Sequence, residues 1–492
     1  MVRISLLFLL GFLTAAAPGA ESAVQTRDLA AGPDPREIPV PEIKTPLGSM
    51  PSVADLPVRK ELPDAMVMND GTRVLTPEQW LRRREEMKRI LQYYAIGAMP
   101  PPPGNVKGRE VASQTVLSGT VYYRLVHLTF GPDEKLELNI GIFTPTNTGA
   151  FPSVIMPGGT PPGAVPLPLL PQGPGQGRGV DALLPVEAAP ATSTNAPRIG
   201  LGITGNAAAQ PASRGISPGV IAAAAERMAA ANRELFRRGY AYVLFNNTDC
   251  AEDTTLRNPD GSWAFRTTRF YPAYPNYDWG ILAGWAWGVS RIVDYLETDA
   301  TIDKSRLIVT GASRTGKSAM IAAAFDERLA TGAPVVTGGG GIGAYRFNGT
   351  DRVGPDGKEG LSLMEKKYPN WFSPHLHEFW GHADKLPFDN HWFLALAAPR
   401  PFIALEGLTD GVSLENAVKQ SWLAARRVYA FLGAEDQLGV NYANHGHAFT
   451  SEDWSALLDF ADRYLGQKTV TRRFDQFPSD ASSPNAEPSG PR

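Results

Sequence analysis

The sequence contains very little cysteine, since Cys250 is the only one among 492 residues. A single cysteine can form neither an internal disulfide nor a thiolate zinc cluster, so both are excluded. The chain also lacks an excess of either charge, because 47 Lys and Arg residues face 50 Asp and Glu residues, for a net charge of −3. A nearly neutral chain has no overall attraction for nucleic acid or an anionic membrane, and we expect neither as a partner.

Long apolar runs are also scarce, and the one that is present stands at the start of the chain. Residues 4–13 form an apolar stretch, they follow Arg3, and small residues continue to Ala23. This layout is typical of a secretory signal peptide, here residues 1–23; the alternative is a buried N-terminal helix. No other stretch approaches the ~20 apolar residues that a membrane-spanning helix needs. We therefore expect a secreted or periplasmic protein that contacts no membrane after cleavage.

Three further segments lack a hydrophobic period. Residues 24–60 are rich in proline and predict a flexible lead-in, and residues 472–492 are polar and predict a disordered tail. Residues 157–219 are rich in Pro, Gly and Ala and nearly free of charge, which predicts either an active-site lid or a disordered insertion. Residues 61–471 then form one large domain, and we expect a monomer.

Within this domain the apolar pattern predicts an α/β architecture. A helix follows the N-cap Thr76, with residues 82–84 on its solvated face, and a hairpin joins residues 121–129 to 136–143. From residue 219 onward strands alternate with helices, which predicts a mostly parallel sheet covered by helices on both faces. The predicted strands are 152–156, 241–245, 306–310, 333–336 and 401–406, and the predicted helices are 220–238, 279–297, 316–325, 413–432 and 452–465.

One motif carries the chemistry, and it has two interpretations. Residues 311–318 read G-A-S-R-T-G-K-S, which matches the phosphate loop of nucleotide-binding proteins and also the nucleophile elbow of α/β-hydrolases. A phosphate loop needs a magnesium-binding acid and usually follows the first strand of its domain, whereas several strands precede this motif. An elbow needs an acid and then a histidine later in the chain, and Asp410 and His447 follow in that order. The elbow is therefore favoured, with Ser313 as its nucleophile.

The residues around Ser313 suit acyl transfer. A serine hydroxyl is a weak nucleophile, so an imidazole must take its proton, and a carboxylate must hold that imidazole in the correct tautomer. His447 and Asp410 are the candidates for these roles, with His445 as a competing base. Arg314 would add a positive charge beside the developing oxyanion. His375, His377 and His382 lack the spacing of a metal site, and we expect no metal or other cofactor.

The stretch from residue 278 to residue 317 resembles the glucuronoyl esterases of carbohydrate esterase family 15. The shared blocks are DWG, the helix W-A-W-G-x-S-R and the elbow G-x-S-R-x-G-K, followed by LPFDNHWFLALAAPRP at 386–401 and GHAFTSEDW at 446–454. The resemblance extends over residues 76–465. It implies an α/β-hydrolase fold: a three-layer sandwich with a mostly parallel central sheet. It also implies a serine esterase, a carboxylic ester hydrolase that cleaves esters of 4-O-methyl-glucuronic acid, as in the linkages between lignin and glucuronoxylan.

The same resemblance assigns roles to individual residues. Ser313 matches the nucleophile, His447 the base and Arg314 the residue that stabilises the oxyanion. Lys317 matches a lysine that hydrogen-bonds sugar hydroxyls. Arg346 and Trp371 are looser matches near blocks that shape the uronate pocket, and the resemblance implies that both bind substrate.

The chain departs from the family pattern at the acid. Many members carry a glutamate after the strand that follows the elbow helix, but here residues 335–346 read VVTGGGGIGAYR. Other bacterial members resemble this chain in placing an acid after the next strand, which indicates Asp410, with Glu406 as its competitor. The absence of a cysteine pair also suits a bacterial member rather than a fungal one. Three alternatives remain: an acetyl-xylan or other carbohydrate esterase, a carbohydrate-binding protein with impaired catalysis, and an ATP-dependent protein using the phosphate-loop match.

Overall fold

A single nine-stranded sheet forms the centre of the molecule. The computed structural model describes residues 46–170, 217–348 and 360–481. The strands are β1 (Lys107–Val116), β2 (Val121–Phe130), β3 (Leu136–Pro145), β4 (Phe151–Pro157), β5 (Ala241–Phe245), β6 (Ile302–Ala312), β7 (Leu329–Val335), β8 (Phe402–Gly407) and β9 (Leu438–Ala443). Their order across the sheet is β1-β2-β3-β5-β4-β6-β7-β8-β9.

The sheet has an antiparallel part and a parallel part. Strands β1, β2, β3 and β5 pair antiparallel, and β5, β4, β6, β7, β8 and β9 pair parallel in that order. The predicted hairpin is the β2–β3 pair, which joins Val121 to Pro145. Every residue of β4, β5 and β8 is buried, as expected for parallel strands covered on both faces. The prediction of a mostly parallel sheet is confirmed.

Helices cover both faces of the sheet. They are α1 (Pro77–Ile90), α2 (Pro218–Ala231), α3 (Arg233–Arg237), α4 (Ile281–Leu296), α5 (Ser313–Phe325), α6 (Leu361–Lys367), α7 (His391–Ala397), α8 (Glu415–Phe431), α9 (Ser451–Tyr464) and α10 (Pro478–Ala481). On β6, Leu307 and Val309 join the core beneath α4, α5, α7 and α8, whereas Ile308 joins a second core beneath α2 and α9. This alternation makes the predicted three layers.

Helix α1 begins as predicted but corrects one expectation. Thr76 caps it by accepting from the Gln79 amide at 3.3 Å, and a π-helical turn, Leu91–Ile96, extends it. Residues 82–84 are not a solvated face, because Arg83 is buried. Its guanidinium donates to the carbonyl of Ala65 and lies 4.6 Å from the centroid of the Trp392 ring. An arginine run on a helix therefore does not by itself mark the exposed side.

Two predicted boundaries are wrong. The single helix expected over 220–238 is two helices, α2 and α3, separated at Asn232. The disordered tail expected from residue 472 does not begin there, because residues 472–481 pack against the domain. Phe474 and Phe477 are buried, and the Phe474 carbonyl accepts from the Val440 amide on β9 at 2.7 Å. The two aromatic rings bury enough apolar surface to order residues 472–481. The rest of the predicted tail, residues 482–492, lies outside the described residues.

Several predicted segments lie wholly or partly outside the described residues. These are the signal peptide 1–23, residues 24–45 of the lead-in, and residues 171–216 of the insertion. The described end of the lead-in has no helix or strand over 46–60, but Pro51 accepts from the Tyr94 hydroxyl at 2.6 Å and Val53 from the Lys385 ammonium at 2.9 Å. Within the three described ranges, each helix is too short or too polar to reach across a membrane.

Candidate active site

The turn between β6 and α5 has the geometry of a nucleophile elbow. Strand β6 ends at Ala312 and the helix begins at Ser313, whose φ of 54° lies in the left-handed region. A serine in this region is strained, and such strain is typical of a nucleophile lifted above a sheet. No loop separates strand from helix, so backbone amides cannot surround a phosphate group as they do in a phosphate loop.

Two glycines allow this turn to be so tight. A Cβ atom at Gly311 would lie 2.7 Å from the carbonyl oxygen of Thr315, and one at Gly316 would lie 2.8 Å from that of Gly311. The Thr315 hydroxyl donates to the Ala312 carbonyl at 2.8 Å. The spacing G-x-S-x-x-G is therefore required by packing, and it leaves Ser313 at the carboxyl edge of the sheet.

Asp410 and His447 meet at the same edge. Asp410 follows β8 and His447 follows β9, and the two strands are neighbours. The Nδ1 atom of His447 lies 3.0 Å from Oδ2 of Asp410, whose other oxygen accepts from the Val412 amide at 3.0 Å. The Asp410 side chain is 1% exposed and that of His447 is 26% exposed. A buried carboxylate thus fixes an imidazole that stays accessible, which suits a base and its orienting acid.

His445 has a different arrangement. Its Nε2 atom lies 3.1 Å from Oδ1 of Asp453, and its Nδ1 atom lies 2.8 Å from the Gly446 carbonyl oxygen. The hydrogen bond to Asp453 is the main cause that raises the pKa of His445 to about 9. An imidazole protonated at neutral pH, with both nitrogens engaged, cannot take a proton from a serine.

Glu406, the competing acid, is buried at the end of β8. Neither of its carboxylate oxygens has a hydrogen-bond partner within the described part of the chain. Burial, followed by the charges of Asp410 and Asp453, raises its pKa to about 8. The structure therefore brings Asp410, and not Glu406, to the ring of His447.

Arg314 follows Ser313 and is held by a residue that the sequence analysis missed. Its guanidinium forms an ion pair with Asp253, in the loop after β5, and its Cζ atom lies 5.2 Å from the centroid of the Trp371 ring. The indole Nε1 of Trp371 donates to the other oxygen of Asp253 at 2.9 Å. The sequence offered only a weak signal for Asp253. It is an acid shortly after a buried strand, at the edge where parallel strands present their carboxyl ends.

The loop after β4 has two backbone amides that are already hydrogen-bonded. In α/β-hydrolases a backbone amide from such a loop usually supplies a second hydrogen-bond donor. Here the amides of Gly158 and Gly159 both donate to the Phe245 carbonyl, at 3.0 and 3.2 Å. These two donors are already used, and Arg314 stands beside Ser313 with a charged donor instead.

Lys317 and Trp371 form one wall beside Ser313. Lys317 lies one helical turn after Ser313, is 1% exposed, and places its ammonium 5.1 Å from the centroid of the Trp371 ring. Tyr368 stacks on the Trp371 ring, with the two ring centroids 3.9 Å apart. Both predicted residues therefore lie near the nucleophile, and their contact with substrate remains a prediction.

Arg346 requires a correction. Its side chain is 3% exposed and forms an ion pair of 2.9 Å with Asp389. Three further donors of its guanidinium bond the carbonyls of Leu386, Phe388 and Arg59, at 2.6, 3.0 and 3.1 Å. These contacts use four of the five N–H donors of a nearly buried guanidinium, which fastens loops together, and they contradict the predicted substrate role.

No grouping of three His, Cys, Asp or Glu side chains among residues 46–170, 217–348 and 360–481 could hold a metal ion. The buried pair Glu365 and His377 shares a hydrogen bond but has no third ligand in these ranges.

Comparison with known proteins finds sequence similarity to glucuronoyl esterases. A sequence model of the family "Glucuronyl esterase, fungi" matches residues 202–433. The matched stretch contains Ser313, Arg314 and Asp410 and ends before His447. The chain is 26% identical over 427 residues to a 4-O-methyl-glucuronoyl methylesterase of Podospora anserina, covering 84% of this chain and 70% of that protein. It is 32% identical over 242 residues to one from Hypocrea jecorina, covering 48% of this chain and 51% of that protein.

Solved structures agree with these sequence matches. The glucuronoyl esterase catalytic domain from Hypocrea jecorina superposes with a TM-score of 0.60 at 25% identity, covering 87% of this chain and 94% of that one. A promiscuous esterase of carbohydrate esterase family 15 from a marine bacterial metagenome gives a TM-score of 0.63 at 24% identity, covering 85% of this chain and all of that one. The predicted α/β-hydrolase fold is confirmed.

Proposed function

The chain is related to the glucuronoyl esterases of carbohydrate esterase family 15, and from this relationship we propose that it is a serine esterase acting on esters of glucuronic acid. The relatives named 4-O-methyl-glucuronoyl methylesterase support the activity. The substrate would be a 4-O-methyl-glucuronoyl ester that joins glucuronoxylan to an alcohol of lignin. An enzyme for this polymer must act outside the cytoplasm, which agrees with the signal peptide predicted over residues 1–23.

The proposed reaction begins at Ser313. The Nε2 atom of His447 takes the hydroxyl proton as the serine oxygen attacks the ester carbonyl, and Asp410 stabilises the resulting imidazolium through Nδ1. The oxyanion is held by the amide after Ser313 and by the Arg314 guanidinium. His447 then gives its proton to the leaving alcohol, and water repeats the sequence on the acyl-enzyme to release the uronic acid.

The observation that carries this proposal is the 3.0 Å contact between Asp410 and His447, at the edge where Ser313 has left-handed backbone geometry. The contact also argues against a protein with impaired catalysis, an alternative that rested on the missing glutamate after β7. That position is occupied by Val336, which is buried and apolar. Asp410 supplies the acid from the adjacent strand.

Substrate recognition is assigned to the wall beside the nucleophile. Trp371 backs the Lys317 ammonium with its indole ring, and Lys317 is the candidate for a hydrogen bond to a sugar hydroxyl because it lies one turn from Ser313 on the same helix. A polar group built to bond a hydroxyl penalises substrates that lack it. This assignment distinguishes a glucuronoyl esterase from a general ester hydrolase.

Hydrolysis of benzyl glucuronate and of acetylated xylan by the wild type and by Ser313→Ala tests the proposal. We expect the wild type to release benzyl alcohol from the uronate ester, and Ser313→Ala to lose this activity by about a thousandfold or more. Activity on the acetyl ester alone would assign the protein to acetyl-xylan esterases instead. Undiminished turnover by Ser313→Ala would contradict the serine mechanism.

A further inference from the structure

Asp253 has an arrangement that the proposed reaction does not yet use. It lies in the loop that follows β5 and the short helical turn Asn247–Asp249. One carboxylate oxygen forms the ion pair with Arg314. The other accepts from the Trp371 indole at 2.9 Å and from the Asn370 amide group at 3.3 Å. The Asp253 side chain is 8% exposed and that of Arg314 is 11% exposed, so the ion pair is largely shielded from water.

The two residues that hold Asp253 are themselves fixed by the backbone of another element. The first amides of α4, those of Ile281 and Leu282, donate to the carbonyls of Asn370 and Trp371, at 3.1 and 3.4 Å. A Cβ atom at Gly280 would overlap the Trp371 carbonyl, so only glycine allows this approach. Asn370 also donates to the Thr254 carbonyl at 3.0 Å. The N-terminus of α4 thus anchors Asn370 and Trp371, and these two residues in turn anchor Asp253.

The adjacent acid in the same loop provides a contrast. Glu252 is also buried and also paired with an arginine, Arg269, at 3.3 Å, and it accepts from the Leu170 amide at 2.5 Å. Its partners belong to the surrounding loops. The neighbouring Asp253, in contrast, joins this loop to the residue after the nucleophile.

We propose that Asp253 is a positioning residue that holds the Arg314 guanidinium against the Trp371 face, so that the guanidinium is already in place when the oxyanion forms. The inference rests on the proposed function, because it gives Arg314 its part in the reaction. A long, unrestrained arginine would have to be ordered during the reaction, which reduces the stabilisation that it can give. Asp253 removes that requirement before substrate arrives.

The test is a double-mutant cycle on benzyl glucuronate with Asp253→Asn, Arg314→Ala and the combined variant. Asp253→Asn keeps the size of the side chain and an oxygen for Trp371 but loses the ion pair. We expect kcat to fall by about tenfold to a hundredfold, with KM changing by less than about threefold. Arg314→Ala should cost about a hundredfold to a thousandfold. The combined variant should be no slower than Arg314→Ala, because Asp253 acts only through Arg314.

A matched control and a second variant complete the experiment. Glu252→Gln removes a buried charge from the same loop and should leave kcat within about threefold of the wild type, even if the thermal midpoint falls. If Asp253→Asn does not fold, Trp371→Phe removes one donor to Asp253, and its loss of kcat should likewise vanish in the Arg314→Ala background. An additive cycle, or an unchanged kcat in Asp253→Asn, would overturn the inference. If the proposed function itself is wrong, the wild type will hydrolyse no uronate ester. That outcome is distinct from a failure of the inference on Asp253.

Discussion

The loops after β7 and β8 stand side by side at the edge of the sheet, but over its described residues 336–348 the first of them carries no acid. The loop after β7 is rich in glycine, and Val336, Gly338 and Gly340 have φ angles of 40°, 61° and 70°. The loop after β8 holds Asp410, bonded to His447. Strand β8 is the neighbour of β9, from which the histidine loop leaves, whereas β7 is one strand further away.

The difference teaches that an acid can move by one strand when the histidine loop is adjacent. Neighbouring strands lie about 4.8 Å apart, so an aspartate after β8 reaches the imidazole with a short side chain. The loop after β8 is also joined directly to the histidine loop after β9, because the amides of Leu408 and Thr409 donate to the carbonyls of Ala443 and His445, at 2.9 and 3.1 Å. An acid after β7 would have to pass the end of β8, which requires a longer side chain.

The sharpest way to break this comparison is to remove the acid after β8. Asp410→Asn should leave the shape of the site intact but lower kcat on benzyl glucuronate by about a thousandfold to ten-thousandfold, because the amide no longer holds the productive tautomer of His447. Steady-state kinetics measures this change. Glu406→Gln, on the strand that precedes Asp410, is the matched control and should keep kcat within about threefold. Equal losses in the two variants would contradict the assignment of Asp410.

A second test places an acid in the loop after β7. Val336 is fully buried, so Val336→Glu would put a carboxylate where no partner is prepared, and it should lower the free energy of unfolding by about 2–4 kcal/mol. Urea unfolding followed by circular dichroism measures the loss. Val336→Gln has a side chain of similar size but no charge. At pH 8 its free energy of unfolding should fall by less than that of Val336→Glu. If Val336→Glu is as stable as the wild type, this loop can accept an acid after all.

A third effect concerns Glu406 and depends on pH. Its pKa is raised from an ordinary 4.5 to about 8, so between these values the unfolded chain is ionised while the folded protein keeps its proton. The free energy of unfolding therefore falls as pH rises through this window, by at most about 1.4 kcal/mol per pH unit for one group. Glu406→Gln removes this fall. Its thermal midpoint, relative to the wild type, should rise between pH 5 and pH 8.5, and a constant difference would show that Glu406 is ionised when folded.

Much of the architecture could be predicted because its patterns are local. The β2–β3 hairpin alternates, and the stretch from β6 to α5 combines an apolar strand with a glycine turn. Strand β1 was missed because most of its residues are exposed and it shows no apolar alternation. Strand β9 was missed because it is short and contains glycine and asparagine.

The candidate site was predictable only in part. The order of Ser313, Asp410 and His447 is a feature of the sequence itself, and the structure brings the last two into contact. The partners of an arginine are not a sequence feature, because they come from distant segments. Arg346 bonds loops more than 40 residues away in the chain, and Arg314 pairs with an acid 61 residues earlier. The error at Arg346 and the omission of Asp253 have this common cause.

The packing of residues 472–481 has a practical consequence for anyone who shortens this protein. A version that stops at residue 471, where sequence patterns place the end of the domain, would lose the carbonyl that satisfies the Val440 amide. It would also lose the ring contacts of Phe474 with Phe460 and of Phe477 with Trp422. The outer strand of the sheet would then be open to pairing with other chains, which favours aggregation. A soluble recombinant form should therefore retain the chain to at least Ala481.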